Sequence, residues 1–331
     1  MNKLVYSSLV LTLVSTPGFA TEWANLDQEI NNLNASLTAQ NATGPKMGGW
    51  VRSRFVDNSD ADLQGFAFDA VRLEISGDAG SDYGYKVSFD LAEGTADLKD
   101  AYATFKLGDM ATAKMGQFKT NFLRSSTVAQ NRLVLLDRTV LGGNALWNER
   151  QLGLGIMGNF ETIGWSLSAQ NGTDGLGDDH KIAAKISADL MGGGIGKAEG
   201  AYGANDGTAL SAGLAYLSDD GANAGVGETA IGLEVGLTMS GFSLAGEMVD
   251  FDEAGNTPWD ITGSYLFTQN WEAAVRYQDA DDADNSTIMT LGVNYYISGH
   301  DIKWTAQYDT IDSDDASLEQ DAISLGLGVS F

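Results

Sequence analysis

The chain has 331 residues, with 45 Asp and Glu against 19 Lys and Arg, a net charge of −26 and no cysteine. That balance argues against a nucleic-acid partner, whose phosphates call for a basic footprint. The missing cysteines exclude a disulfide scaffold, a thiol nucleophile and a cysteine metal site.

In chain order, residues 1–20, MNKLVYSSLVLTLVSTPGFA, carry a lysine near the start, a short apolar run and small residues at Gly18 and Ala20. This is the pattern of a signal peptide cleaved after Ala20, because the apolar run is too short for a membrane span. Residues 21–40 place Trp23, Leu26, Ile30, Leu33 and Leu37 at spacings of three and four, which predicts a short periplasmic helix with one apolar stripe. The stripe covers about two heptads, enough for a short coiled coil or for an amphipathic helix that packs elsewhere.

Beyond the NATGPKMGG linker the apolar period changes to two. Tyr83, Tyr85, Val87, Phe89 and Leu91 alternate with Gly84, Lys86, Ser88 and Asp90, and the same rule governs Ile231 to Met239 and Met289 to Ile297. Alternate side chains share one sheet face, so each segment is a strand with an apolar and a polar side. About sixteen such segments fill the chain from residue 47 onward, joined by tight turns (SGF at 240–242, TQN at 268–270, SGHD at 298–301) and by longer acidic loops (279–286, 312–320). Residues 190–208 read as an elaborate turn that has room for another hairpin. Short and long connections in alternation, with no run of 18 apolar residues, predict a transmembrane antiparallel β-barrel over residues 41–331. Phe267, Trp271, Tyr295, Tyr296 and Trp304 flank the tight turns, as an interfacial girdle requires, and the last segment alternates up to Phe331.

Against this acidic background, GQFKTNFLRSSTVAQNRLVLLDR at 116–138 holds Lys119, Arg124, Arg132 and Arg138 with Asp137 as its only acid. Widening the window to 114–150 adds Lys114, Arg150 and Glu149. With strands on both sides, residues 120–148 form one long connection rich in apolar side chains, among them Phe122, Leu123, Leu133, Leu135, Leu136 and Leu141. Such a loop is expected to pack inside the barrel, where its guanidinium groups would set the potential at a constriction.

This segment resembles the constriction-loop region of the phosphate-selective porin O and P family. Gly116, Gln117, Phe118, Lys119, Phe122, Arg132, Asp137 and Arg138 carry the likeness, which extends more loosely over residues 46–331 through HKIAAKIS at 180–187 and SGFSLAGEMVD at 240–250. The resemblance implies a trimeric outer-membrane channel. Asn121 stands where the family usually has proline. Residues 151–331 hold only Lys181, Lys185, Lys197, Arg276 and Lys303, a departure from the arginine ladder and lysine clusters of phosphate-selective members.

If the apolar faces meet lipid, Arg52, Arg54, Arg72 and Lys86 point into the lumen, with Lys106, Lys185, Arg276, Glu74, Asp90, Glu234 and Glu272. The expected pore is therefore basic beside the island and acidic opposite it, lined by Lys119, Arg124, Arg132, Arg138, Arg52, Arg54, Arg72 and Lys86. The expected function is passive diffusion of small hydrophilic solutes, with a preference for inorganic anions or phosphate, in a barrel surrounded by outer-membrane lipid and lipopolysaccharide. Two alternatives stand beside it: a structural or adhesive barrel with a closed lumen, and a general porin with cation preference. His180 and His300, the only histidines, lie far apart and form no Ser-His-Asp arrangement, and the Asp279–Asp284 cluster lacks the glycine and glutamate of a calcium loop. No enzymatic site, cofactor or metal site is expected.

Overall fold

The computed structural model describes residues 44–58, 63–174, 178–204, 207–222 and 227–331. The expected signal peptide and the helix at 21–40 lie outside the described residues. Sixteen antiparallel strands follow one another: β1 (Lys46–Asn58), β2 (Leu63–Asp78), β3 (Tyr83–Asp90), β4 (Asp97–Lys106), β5 (Ala111–Lys119), β6 (Arg150–Phe160), β7 (Ile163–Asn171) and β8 (His180–Met191). After them come β9 (Thr208–Asp219), β10 (Glu228–Met239), β11 (Phe242–Phe251), β12 (Trp259–Leu266), β13 (Trp271–Asp279), β14 (Thr287–Ser298), β15 (Ile302–Asp312) and β16 (Gln320–Ser330). Each pairs with its neighbours in sequence, and β16 pairs with β1 to close the barrel.

Closure is set by a register running from Trp50 opposite Ser330 to Asn58 opposite Ala322, and Gly49 and Phe331 exchange both backbone hydrogen bonds at 3.1 and 3.0 Å. A closed sheet leaves no unpaired strand edge, which is what allows strands to cross lipid. Alternation does the rest. In β13 and β14, Val275, Tyr277, Leu291 and Val293 point outward while Arg276, Thr290 and Asn294 are buried inside. Phe267, Trp271, Tyr295 and Trp304 are exposed on the outer surface beside the tight turns. Tyr296 departs from the expected girdle: its neighbour Tyr295 takes the outer face, so the pleat turns Tyr296 into the lumen, where it is fully buried.

Short connections gather at one rim and longer ones at the other. The β10–β11 hairpin turns on Ser240 and Gly241, both at positive φ (44° and 83°), the type I′ geometry that matches the twist of antiparallel strands. Two connections enter the lumen, and the second breaks the size rule. Residues 120–149 come from the loop rim between β5 and β6. Residues 192–207 come from the short-turn rim between β8 and β9, and contain no strand among the described residues.

Candidate functional site: a lumen open on one side

The 120–149 loop goes inward because both its side chains and its backbone find partners there. It has no lipid face for its apolar residues, so they pack against small inward side chains of the wall. Phe122, Leu123, Leu141 and Trp147 form one cluster with Ala183, Ala215, Leu217, Ala230, Val249 and Phe251. Phe122 stacks on Trp147 at 4.4 Å, and Trp147 on Phe251 at 5.9 Å. Wall glycines supply the deepest niches: a Cβ on Gly232 would lie 3.0 Å from Phe122 and Leu123, and one on Gly292 or Gly326 would collide with Leu135 or Leu136. Each large side chain so buried contributes about 1.5–3 kcal/mol.

Wall side chains satisfy the loop's peptide groups. Asn294 donates to the Val134 carbonyl at 2.7 Å, Lys303 to Leu133 at 2.5 Å, Lys181 to Leu146 at 2.8 Å and Arg276 to Asp137 at 2.8 Å. Wall acceptors take the amides: Gln307 from Leu136 and Gln278 from Val140, both at 2.7 Å, Glu247 from Ser125 at 2.8 Å and Glu234 from Arg124 at 2.6 Å. A buried peptide group left without a partner costs about 1–3 kcal/mol, so these polar wall positions are as necessary to docking as the apolar ones.

The predicted pore cations divide into three groups. Arg52 and Arg54 fasten the loop. Arg52 is buried and donates to the carbonyls of Gln130 (2.8 Å) and Leu136, with Asp69 at 3.4 Å. Arg54 grips Asp137 through two parallel bonds of 2.7 and 2.8 Å and also reaches Asp69. Burial raises the Asp137 carboxyl, but the Arg54 bonds and the charges of Arg54, Arg52 and Arg276 outweigh it and hold the group below the usual range. Arg124 and Arg132 line neither of the two open cavities. Arg124 donates to Gly196 (2.7 Å) and Ala198 (2.6 Å) of the 192–207 segment, while Arg132 sits 3.8 Å from Asp301 near the short-turn rim.

Lys119, Arg138, Arg72 and Lys86 line the open part of the lumen, a cavity of about 580 Å³. Lys99, Lys114 and Arg150 join them, so seven cations face six carboxylates there. Four of the cations are paired: Arg72 with Asp90 (3.1 Å), Lys86 with Glu74 (2.7 Å), Arg150 with Asp100 (3.3 Å), and Lys99 with Asp97. Three have no carboxylate partner among the described residues. Lys119 donates to the Ser126 carbonyl (2.7 Å) and Asn148 (2.5 Å), Arg138 to the carbonyls of Val128 (2.5 Å) and Ser125, and Lys114 lies over the rings of Tyr102 (4.7 Å) and Phe118 (4.9 Å). Burial pulls the Arg138 guanidinium down, with Glu199 opposing and Arg150, Arg52 and Arg72 adding to it, to about 10, which leaves it cationic at neutral pH.

A second cavity of about 700 Å³ reaches the short-turn rim past Lys106, Asp109, Trp165 and Lys185. The two cavities share Asn121 and Met157, so they adjoin inside the barrel. Neither is lined by a residue of β9–β16. The expected acidic side therefore faces neither cavity: Glu247, Asp260 and Glu272 point inward but are buried beneath the two inserted segments. Lys114 and Arg150 were visible as flanks of the basic island, yet only the fold brings them beside Lys119.

A closed sixteen-stranded barrel, apolar outside and narrowed inside by a loop that leaves a cavity open, is an outer-membrane porin. Residues 47–266 match the model of the family described as phosphate-selective porin O and P, and the chain belongs to that family. No protein of curated function matches its sequence. Among solved structures, the anion-selective porin from Comamonas acidovorans is 13% identical with a TM-score of 0.64, covering 87% of this chain and 99% of its own. OmpT of Vibrio cholerae, in a trimer form, is 12% identical with the same score and coverage. OprB of Pseudomonas putida is 12% identical with a TM-score of 0.64, covering 91% of this chain and 97% of its own. At these identities the likeness is one of fold.

Proposed function

We propose that this porin is a passive channel for small hydrophilic solutes that prefers anions, and that it assembles as a homotrimer. The observation that carries the reading is the unpaired state of Lys114, Lys119 and Arg138 on the open cavity. Five of the six carboxylates there, Asp69, Glu74, Asp90, Asp97 and Asp100, are already ion-paired. Glu93, the sixth, sits exposed in the β3–β4 loop. A solute crossing the narrow zone thus meets local positive charge inside a chain whose total is −26. The anion-selective porin of the same fold and the trimeric form of OmpT are consistent with both parts of the reading.

The preference is general rather than a tuned phosphate site, since the three cations are engaged by backbone carbonyls, an amide and aromatic rings. The transport is diffusive and involves no catalysis. The test is the zero-current potential in a planar bilayer under a potassium chloride gradient. A sign showing chloride more permeant than potassium supports the proposal; a potassium-selective sign, or no conductance at all, overturns it.

A further inference from the structure

The β8–β9 connection is long for the short-turn rim, and its contacts lie far from its own strands. Ile195 enters the niche over Gly236 in β10, where a Cβ would collide with it. Its amide donates to Ser211 at 3.0 Å. Gly196 and Ala198 accept from Arg124, and the Glu199 amide donates to the Arg132 carbonyl at 2.9 Å. The Glu199 carboxylate takes the Val134 amide at 3.2 Å and pairs with Arg276 of β13 at 3.3 Å. Ala201 donates to Glu272 at 2.5 Å, and Tyr202 stacks on Tyr296 of β14 at 3.8 Å with His300 edge-on at 5.4 Å. Gly200, at φ +85°, passes so close to Glu272 and Val134 that a side chain there would meet both, at 2.5 and 2.9 Å.

The segment therefore crosses beneath β10–β13 and reaches the β14–β15 turn, knitting itself to the 120–149 loop on the way. Together the two inserts cover the lumen face of β9–β16, which contributes no lining residue to either open cavity. We propose that residues 192–204 are a second constriction element, inserted from the rim opposite the first, which with the 120–149 loop seals the β9–β16 half of the lumen and confines permeation to an off-centre strip along β1–β8. The inference rests on the channel reading above. It assigns a size and selectivity role to a segment that carries none of the open-strip cations: without it, solutes would enter beside Glu272, whose carboxylate takes the Ala201 amide.

Two experiments test it. In the first, residues 196–203 are deleted, and separately Gly236→Val is combined with Tyr202→Ala to remove the niche and the stack. Single-channel conductance is read in potassium chloride, and the size limit by swelling of liposomes in neutral sugars. With the space under this segment reopened and the 120–149 loop still in place, conductance should rise, the sugar size limit should increase and the zero-current potential should move toward cations. A folded variant with unchanged conductance and size limit overturns the inference. The second experiment uses the cysteine-free background of the nearly intact chain. Thr112→Cys on the open strip should react with a charged, membrane-impermeant methanethiosulfonate and reduce conductance, whereas Ser264→Cys, 5% exposed under the inserts, should not. Equal reaction at both positions overturns the sealed half even if every deletion fails to fold. A conducting wild type with indifferent variants sinks this inference alone, while a silent wild type sinks the channel reading and this with it.

Discussion

Replacing Gly292 and Gly326 together by valine should release the 120–149 loop from the wall without opening the barrel. Both glycines face the lumen, and a Cβ at either meets the tip of Leu135 or Leu136, residues that are 1% and 6% exposed. Overpacking costs about 1–3 kcal/mol at a site, so the pair should weaken docking by roughly 2–6 kcal/mol. The hydrogen bonds that Lys303, Asn294 and Arg52 donate to the carbonyls of Leu133, Val134 and Leu136, and the one that the Leu136 amide donates to Gln307, hold the same stretch, each at about 1 kcal/mol net, so the two effects are of similar size. At about 1.4 kcal/mol for each tenfold change, the undocked population should grow by a factor of about 30 or more. Single-channel recording should then show a larger, noisier conductance with transitions between levels, while heat-modifiable migration shows an intact barrel. Gly263→Val is the control, since a Cβ there finds nothing nearer than 3.8 Å. Wild-type conductance and noise in the folded double variant would refute the idea that glycine niches hold the loop.

Three further outcomes follow from the same contacts. Arg52→Ala should lower the unfolding temperature and raise channel noise, because it strands two loop carbonyls and part of the Asp69 pairing; breaking a buried pair of this kind costs about 3–5 kcal/mol, and Arg52→Lys should recover part of it. Glu247 and Asp260 stand directly opposite each other in register, both buried and neither with a cationic partner among the described residues. Glu247→Gln, which keeps an acceptor for Ser125 and removes one of two facing carboxylates, should leave the melting temperature unchanged or raise it, whereas Glu247→Ala should lower it. Burial and the nearby Lys303 and Arg132 bring His300 down from 6.5 to about 4, so its neutral form is the one that packs on Tyr202. A freed imidazole binds protons more readily than the packed one between these two values, so docking of the 192–207 segment should weaken as pH falls through that window. Conductance should rise between pH 7.5 and 4.5, and His300→Phe should flatten the response.

Much of this architecture is legible in one dimension because a barrel obeys a period of two. The alternation that turns Val275 and Tyr277 outward and Arg276 inward follows from the pleat, and the same rule applied strictly would have sent Tyr296 inward beside Tyr295. The loop's inward packing was also legible, since Phe122, Leu123, Leu135 and Leu141 cannot all be left in water. What the sequence does not display is how one-residue steps inside a loop of single-turn helices and bends split its cations. Arg124 and Arg138 are equally basic in the string, yet one caps the carbonyls of 196–198 and the other faces the open cavity. The same holds for the niches: Gly236, Gly292 and Gly326 look like ordinary strand glycines until the side chains that fill them are placed. Residues 192–207 carry no periodicity and begin with Gly192, Gly193 and Gly194, so they read as a turn. Their reach across the barrel rests on contacts with residues as distant in sequence as Tyr296.

The proposed route takes permeating solutes along the β1–β8 strip, where the cations without carboxylate partners select them. It is tested most directly by comparing two variants that remove basic charge from the same stretch of sequence. Lys114→Gln, Lys119→Gln and Arg138→Gln combined take charge from the open strip, while Arg124→Gln and Arg132→Gln combined take it from the covered side. Under a potassium chloride gradient the first set should move the zero-current potential from chloride preference to neutrality or beyond, and the second should leave it near the wild-type value. Selectivity that survives the first set, or collapses with the second, would contradict the account.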